Sequence, residues 1–356
     1  MGIKDREMKK KALIETMCFF DLFDIPLTKE EACDFSLYKK LTINDLQDFI
    51  DHEEFVIETD NHIHFRNRSL NLKVRKDKEI RAQKLIRKAK RIAKWMQMLP
   101  FIRTVALCNS LSFYSAEKDS DIDLFIITEK ARLFTARLWA LIFTQIIGVR
   151  RHKKHISGRL CLSFMISKDE MNLESIKNEK DIYLIFWLRL MRPLFGQKTY
   201  REFMSKNDWI HEHFDYEIDQ QKHLINKSAK LNKIQRILEW PAKGKFGDLL
   251  EKVLGYWQKK RANKKRLKLD DPSGVIVNNH MLKFHNIDMR KKFQQLWALR
   301  FNQFQQYLTS SSSPSVDDFS SEYQSRSHQS RILYESHSQD SAYKKSEKHS
   351  PDSQKV

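Results

Sequence analysis

The sequence predicts an α+β fold centred on a small mixed sheet. Two apolar runs flank a polar loop within 103–128, a third run, RLCLSFMIS, spans 159–167, and helical periodicity fills the chain on either side. A strand buries apolar residues in short runs, whereas a helix repeats them every three to four positions, and both signatures are present.

From the start of the chain, Leu13, Ile14, Met17, Cys18 and Phe20 form one stripe of a helix over 5–24, which Pro26 stops. TKEEACDF then opens a second helix, with Thr28 at the N-cap and Glu31 three residues on, the pairing of a capping box. Thr42 or Asn44 caps a third helix through His52. FVIETDNHIHFR is two alternating runs around Asp60–Asn61, a hairpin signal. Three helices and a hairpin make a winged-helix-like pattern over 1–72.

Residues 73–100 predict a basic helix with an apolar stripe of Ile80, Leu85, Ala89, Ile92, Ala93 and Met96, closed by Pro100. Its cations suit either a solvated linker between two domains or the backbone of a nucleic acid, and the linker is the plainer expectation. A helix over 131–148, with Leu133, Leu138, Ile142 and Ile146 near one face, separates the second and third strands. Residues 171–308 are expected to be a helical extension. Residues 309–356 begin TSSSSPS and stay poor in apolar residues, a composition that predicts disorder.

The formal net charge of +19 in 356 residues favours an anionic partner. Four cysteines, Cys18, Cys33, Cys108 and Cys161, form no CxxC pair and each sits among apolar residues. That pattern argues against a zinc site or a disulfide framework and for reduced, buried thiols in a cytoplasmic protein. The longest apolar stretch, Leu138 to Val149, is shorter than the roughly 20 residues a bilayer span needs, so no membrane insertion is expected.

Chemistry concentrates in CNSLSFYSAEKDSDIDLFIIT, residues 108–128. Residues two apart on a strand share a face, so Asp121 and Asp123 point the same way. Two adjacent carboxylates repel, and a divalent cation such as Mg²⁺ relieves that repulsion while leaving room for substrate phosphates. The bland alternative makes Asp119, Ser120 and Asp121 turn residues, with Asp123 facing solvent.

TVALCNSLSFYSAEKDSDIDLFIIT resembles the signature of the polymerase-beta-like nucleotidyltransferase superfamily, particularly its minimal and kanamycin-nucleotidyltransferase-like members. That signature is a strand, a Gly-Ser pair, a loop with a further glycine, then Ser-Asp-x-Asp on the next strand. MRPLFGQKTY and MLKFHN look like the helical extension of an uncharacterised bacterial branch of this family. The resemblance implies a nucleotidyltransferase core over 101–170, Mg²⁺ held by Asp121 and Asp123, and an NTP contacted by Asn109, Ser110 and Ser120. It implies transfer of a nucleoside monophosphate to an unidentified hydroxyl acceptor. The alternative is a catalytically degenerate member that binds nucleotide or nucleic acid.

Three departures bear on activity. Asn109 and Tyr114 stand where the family has glycines, which let backbone amides approach phosphate. The third strand has no acid where the family's third carboxylate lies: Ser163 is the polar residue there, and Asp169 and Glu170 come several residues late. Arg150, Arg151, His152, Lys153, Lys154 and His155 form a basic loop. Lys283 and His285 are edge residues that could approach the cleft, and Trp187, Trp209 and Trp297 read as core.

Overall fold

A computed structural model describes residues 3–66, 71–152, 156–214, 224–225, 228–269, 271–285 and 288–309. Of the tail expected over 309–356, Thr309 ends the last helix and residues 310–356 lie outside the described residues, as do Lys153, Lys154 and His155 of the basic loop.

The chain is a mixed α+β structure. It opens with α1 (Ile3–Asp21), then β1 (Leu27–Thr28), α2 (Lys29–Phe35), α3 (Ile43–His52), β2 (Val56–Thr59) and β3 (His62–Phe65). The Thr28 cap forms as expected, and of the two candidates for the third helix it is Thr42 and not Asn44 that caps it: the hydroxyls of Thr28 and Thr42 accept from Glu31 N and Asp45 N, and the acids reach back to the cap amides. Asp60 and Asn61 take left-handed φ of 51° and 61°, as a two-residue turn between twisted strands requires. Leu27–Thr28 adds an unforeseen strand, giving an antiparallel sheet ordered β1-β3-β2. The acids of α3 do not face outward alone: Asp45 pairs with Lys9 and Asp48 with Arg6, both on α1.

Next come α4 (Asn71–Met96), β4 (Ile102–Leu107), β5 (Ile122–Thr128), α5 (Leu133–Ile146) and β6 (Leu160–Ser167). They are followed by α6 (Ile182–Leu190), β7 (Arg192–Phe195), α7 (Gln197–Lys206), α8 (Ala229–Glu239), α9 (Gly244–Arg266), β8 (Val275–Val277), β9 (Met281–Phe284) and α10 (Arg290–Thr309). The main sheet has six strands in the order β7-β4-β5-β6-β9-β8. β5 and β6 run parallel, joined through α5, and the other neighbours are antiparallel. The stretch 171–308, expected to be helical, therefore supplies three of the six strands. Its strand segments are three or four residues long, too short to carry a period, and Pro193 sits on an edge strand, where a missing N–H is tolerated.

Each face of this sheet has its own core. Phe125, Ile127, Phe164 and Ile166 pack with α6, α7 and the N-terminal unit. Leu124, Ile126, Leu160 and Met165 pack with α4 and α5. The N-terminal unit shares the first core rather than standing apart: Phe19 stacks on Phe186 at 4.1 Å between centroids, and Phe20 meets Phe113 edge-on. α10 returns to the same unit, with Phe304 stacked on Phe65 at 4.3 Å and the Trp297 indole donating to Glu15 O.

α4 is accordingly no solvated linker. Its inward line is Ala82, Ile86, Ala89, Ala93 and Met96, extended by buried Arg75 and Lys78, while Ile80 is 54% exposed. Of the expected stripe, Ala89, Ile92, Ala93 and Met96 are buried and Leu85 packs against the same core, and only Ile80 turns outward. In α5, Ile142 and Ile146 likewise turn outward, and Ala136, Ala140 and Thr144 face the sheet. Small residues four apart let the helix backbone lie close to the strands. Among the described residues no helix is long and apolar enough to cross a membrane.

Candidate functional site

Asp121 and Asp123 flank Ile122 at the head of β5, so their carboxylates share the face that carries Phe125, while Ile122 is buried on the other. Cys161 lies directly opposite Asp123 on β6. One ligand atom from each of Asp121, Asp123 and Cys161 lies within 4.8 Å of the others. The Asp123 carboxyl is pushed up to about 6, first by burial and then by the neighbouring Asp121 charge. Burial and the two acids hold the Cys161 thiol well above its ordinary range, so it remains protonated at neutral pH.

The loop after β4 comes against this pair. Residues 109–113 form a 3-10 turn that opens at Asn109 with φ 56° and closes at Tyr114 with φ 55°. Both positions that the resemblance assigns to glycine thus adopt the left-handed conformation glycine favours, without being glycine. Asn109 Nδ2 donates to Asp123 Oδ2 at 2.8 Å. Its Oδ1 accepts from the Trp187 indole at 3.0 Å and from the Tyr183 hydroxyl at 3.4 Å, both on α6. An indole N–H only donates, so the carboxamide oxygen must face α6 and its NH₂ must face the carboxylate. Asn109 is therefore a hinge pin between the acid pair and α6. Trp187 is core as expected, stacked on Phe164, and its one polar atom serves the site.

Arginines hold the rest of the loop from outside. Arg75 on α4 donates to Phe113 O at 3.1 Å and pairs with Glu31 at 2.7 Å. Arg81 donates to Ala116 O at 3.2 Å, and Arg192 on β7 donates to Ser112 O. The Arg192 guanidinium also lies 4.4 Å from the Tyr114 ring centroid. A cation over that ring helps hold Tyr114 in a conformation a bulky residue otherwise avoids. At the loop's far side, Lys88 donates to Gly158 O at 2.7 Å.

Arg151, from the turn after α5, donates to Asp121 Oδ2 at 2.6 Å and to Cys161 Sγ at 3.6 Å. A guanidinium thus supplies the positive charge that two adjacent carboxylates demand. Ser163 lies on the same strand as Cys161, with Oγ 3.3 Å from His285 Nε2. Burial, with help from Lys283, pushes the His285 imidazole down to about 4, so it is neutral at pH 7. Lys283 itself is buried and ion-paired to Asp288 at 3.3 Å.

Of the expected site residues, Asp121, Asp123 and Asn109 are brought together directly. Ser110 is half-buried in the same turn. Ser120 is committed to the turn before β5: its hydroxyl accepts from Glu117 N at 2.8 Å. Asp169 does not substitute for a third carboxylate. It accepts from Ala131 N and Ser167 Oγ at the opposite end of β6, eight residues from Cys161 or about 26 Å along a strand. Cys161, rather than Ser163, stands opposite Asp123. Between Asp123 and Phe125 the register with β6 shifts by one residue, so counting along the strand from its apolar centre reaches the wrong position. Arg151 was legible only as part of a basic loop.

As a cation site the cluster fits in part. Two carboxylates on one face suit a hard divalent ion, and a protonated thiol is a poor third donor for it. Compared with known proteins, the chain matches no family model, no curated protein and no solved structure.

Proposed function

We propose that this chain is a nucleotidyltransferase-like protein that binds an NTP with Mg²⁺ at Asp121 and Asp123 and transfers a nucleoside monophosphate to a hydroxyl acceptor. The observation that carries the reading is the 2.8 Å bond from Asn109 to Asp123, which seats a left-handed phosphate-loop-like turn on a carboxylate pair. In this reading Asp121 and Asp123 hold the cation and Ser110 meets phosphate. A bound divalent ion would supply charge neutralisation for the leaving pyrophosphate and acidify the attacking hydroxyl. Asn109 keeps Asp123 oriented, and Arg151, paired with Asp121 at 2.6 Å, would have to release that carboxylate for it to hold an ion. The N-terminal unit, as a winged-helix-like module, serves protein contact or packing, since the acids of α3 suit DNA poorly.

A second reading is favoured by Arg151 and Cys161. A guanidinium fixed on Asp121, and a thiol where a third carboxylate would assist, describe a degenerate site that binds nucleotide or nucleic acid without turnover. Calorimetric titration of the four NTPs, with and without Mg²⁺, on wild type and on Asp121→Ala/Asp123→Ala decides whether the site exists. Mg²⁺-dependent binding lost in the double variant supports it, and no binding by wild type refutes both nucleotide readings. Pyrophosphate release with a bound NTP then separates turnover from binding alone.

A further inference from the structure

Helix α9 turns one face to α5 and the other to solvent. Inward, Asp248 pairs with Arg132 at 2.7 Å, Glu251 accepts from Phe134 N, Thr135 N and the Thr135 hydroxyl, and Gly255 lets the Phe134 ring approach. Those two acids are the only ones on the helix, and both are engaged by α5 or its N-terminal arginine. Outward stand Phe246, Leu249, Val253, Tyr256 and Trp257, between 46% and 65% exposed. At about 100° per residue they fall on one side of the helix. Lys245, Lys252 and Lys259, seven residues apart, line one border of that face, Lys259 donating to Asn279 Oδ1 at 2.7 Å, and Lys260 and Lys264 close the aromatic face itself at the C-terminal end of the helix. Ile237 and Trp240, just before α9, are 70% and 75% exposed.

We infer that α9 docks the protein on an anionic phospholipid bilayer, lying in the plane of the headgroups with its aromatic face turned into the acyl boundary. A helix with Trp, Phe and Leu on one side and lysines beside them is built for that interface, and the lysines supply the attraction to anionic lipid. A second copy of this chain fits worse: the face offers no acid to meet its own lysines, and the chain carries a net charge of +19. Nucleic acid also fits worse, because Leu249 and Val253 occupy the middle of the face and provide no surface for base stacking. The inference is independent of the nucleotide site.

The test is co-sedimentation of the full chain with vesicles of phosphatidylcholine alone and of equal parts phosphatidylcholine and phosphatidylserine. Binding is expected on the anionic vesicles only. Lys245→Gln/Lys252→Gln/Lys259→Gln should weaken it roughly a hundredfold. Phe246→Ser/Trp257→Ser should also release the protein, with far-UV circular dichroism unchanged. Brominated anionic vesicles should quench the tryptophan fluorescence of wild type, a readout that needs no variant. Equal binding to both vesicle types, absence of quenching, or a concentration-dependent dimer dissolved by the same substitutions would overturn the inference. So would displacement from vesicles by polyuridylate that the Phe246/Trp257 variant leaves unchanged.

Discussion

Arg151 Nη1 lies 2.6 Å from Asp121 Oδ2, at the one place in the described chain where two strand carboxylates stand side by side with a thiol. A divalent cation held by this pair would therefore compete with the guanidinium for the same oxygen. Arg151 is 44% exposed and can swing away, so the contest is modest in energy. Arg151→Gln is expected to bind Mg²⁺ or Mn²⁺ about three- to tenfold more tightly than wild type, measured by calorimetry. Weaker ion binding in this variant would mean that the arginine supports the site rather than competing for it.

Asn109 combines a left-handed backbone with three side-chain hydrogen bonds. Asn109→Ala keeps the unfavourable φ, orphans the buried Trp187 N–H and frees Asp123. A loss of about 2–4 kcal/mol in denaturant unfolding is expected. Asn109→Gly should lose about 1 kcal/mol less, since it relieves the backbone but not the orphaned indole. Equal losses would show that the backbone conformation at 109 carries no strain.

Glu15 on α1 is buried, with the Trp297 indole of α10 donating to its backbone carbonyl, and burial pushes its carboxyl from 4.5 up to about 7. One of its oxygens has no hydrogen-bond partner among the described residues. Between those two values the folded chain holds a proton that the unfolded chain has released, so stability falls as pH rises across that window. Glu15→Gln removes the titration. It should be more stable than wild type at pH 8, by about 1–3 kcal/mol, with the advantage shrinking toward pH 4. Thermal melts at several pH values read this directly, and parallel curves for the two proteins would contradict it.

Gly196 joins β7 to α7 with φ 84°, and a Cβ there would lie 2.0 Å from Arg103 O on β4. Neither the angle nor the space admits a side chain. Gly196→Ala is expected to cost about 3 kcal/mol or more, because relief requires β7 to peel from β4. An unfolding midpoint close to wild type would remove β7 from the sheet.

What could be read from the sequence follows from how local each signal is. The caps at Thr28 and Thr42, the Asp60–Asn61 turn and the strands around the loop at 109–121 are set by neighbours within a few residues, and each formed as expected. β7 and β9 pair with β4 and β6, strands distant in sequence, and β8 joins the sheet only through its hairpin with β9, so nothing within RPLF or MLKF announces them. The burial of Arg75 and Lys78 depends on carbonyls some 40 residues away or more, and periodicity cannot foresee that. The acid pair was legible because a two-residue spacing on a strand fixes a shared face. Cys161 was not, because a register shift in the neighbouring strand moved it into place.

The order of strands across the main sheet has a further consequence during synthesis. β4, β5 and β6 are adjacent and are complete once Ser167 has been made, but the strand that covers the outer edge of β6 begins only at Met281. Throughout that interval the nascent chain presents a bare strand edge rich in apolar residues, a template for pairing with the wrong chain. The emerging polypeptide is thus most vulnerable to aggregation while α6 to α9 are being translated, and holdase chaperones that mask strand edges would matter most then.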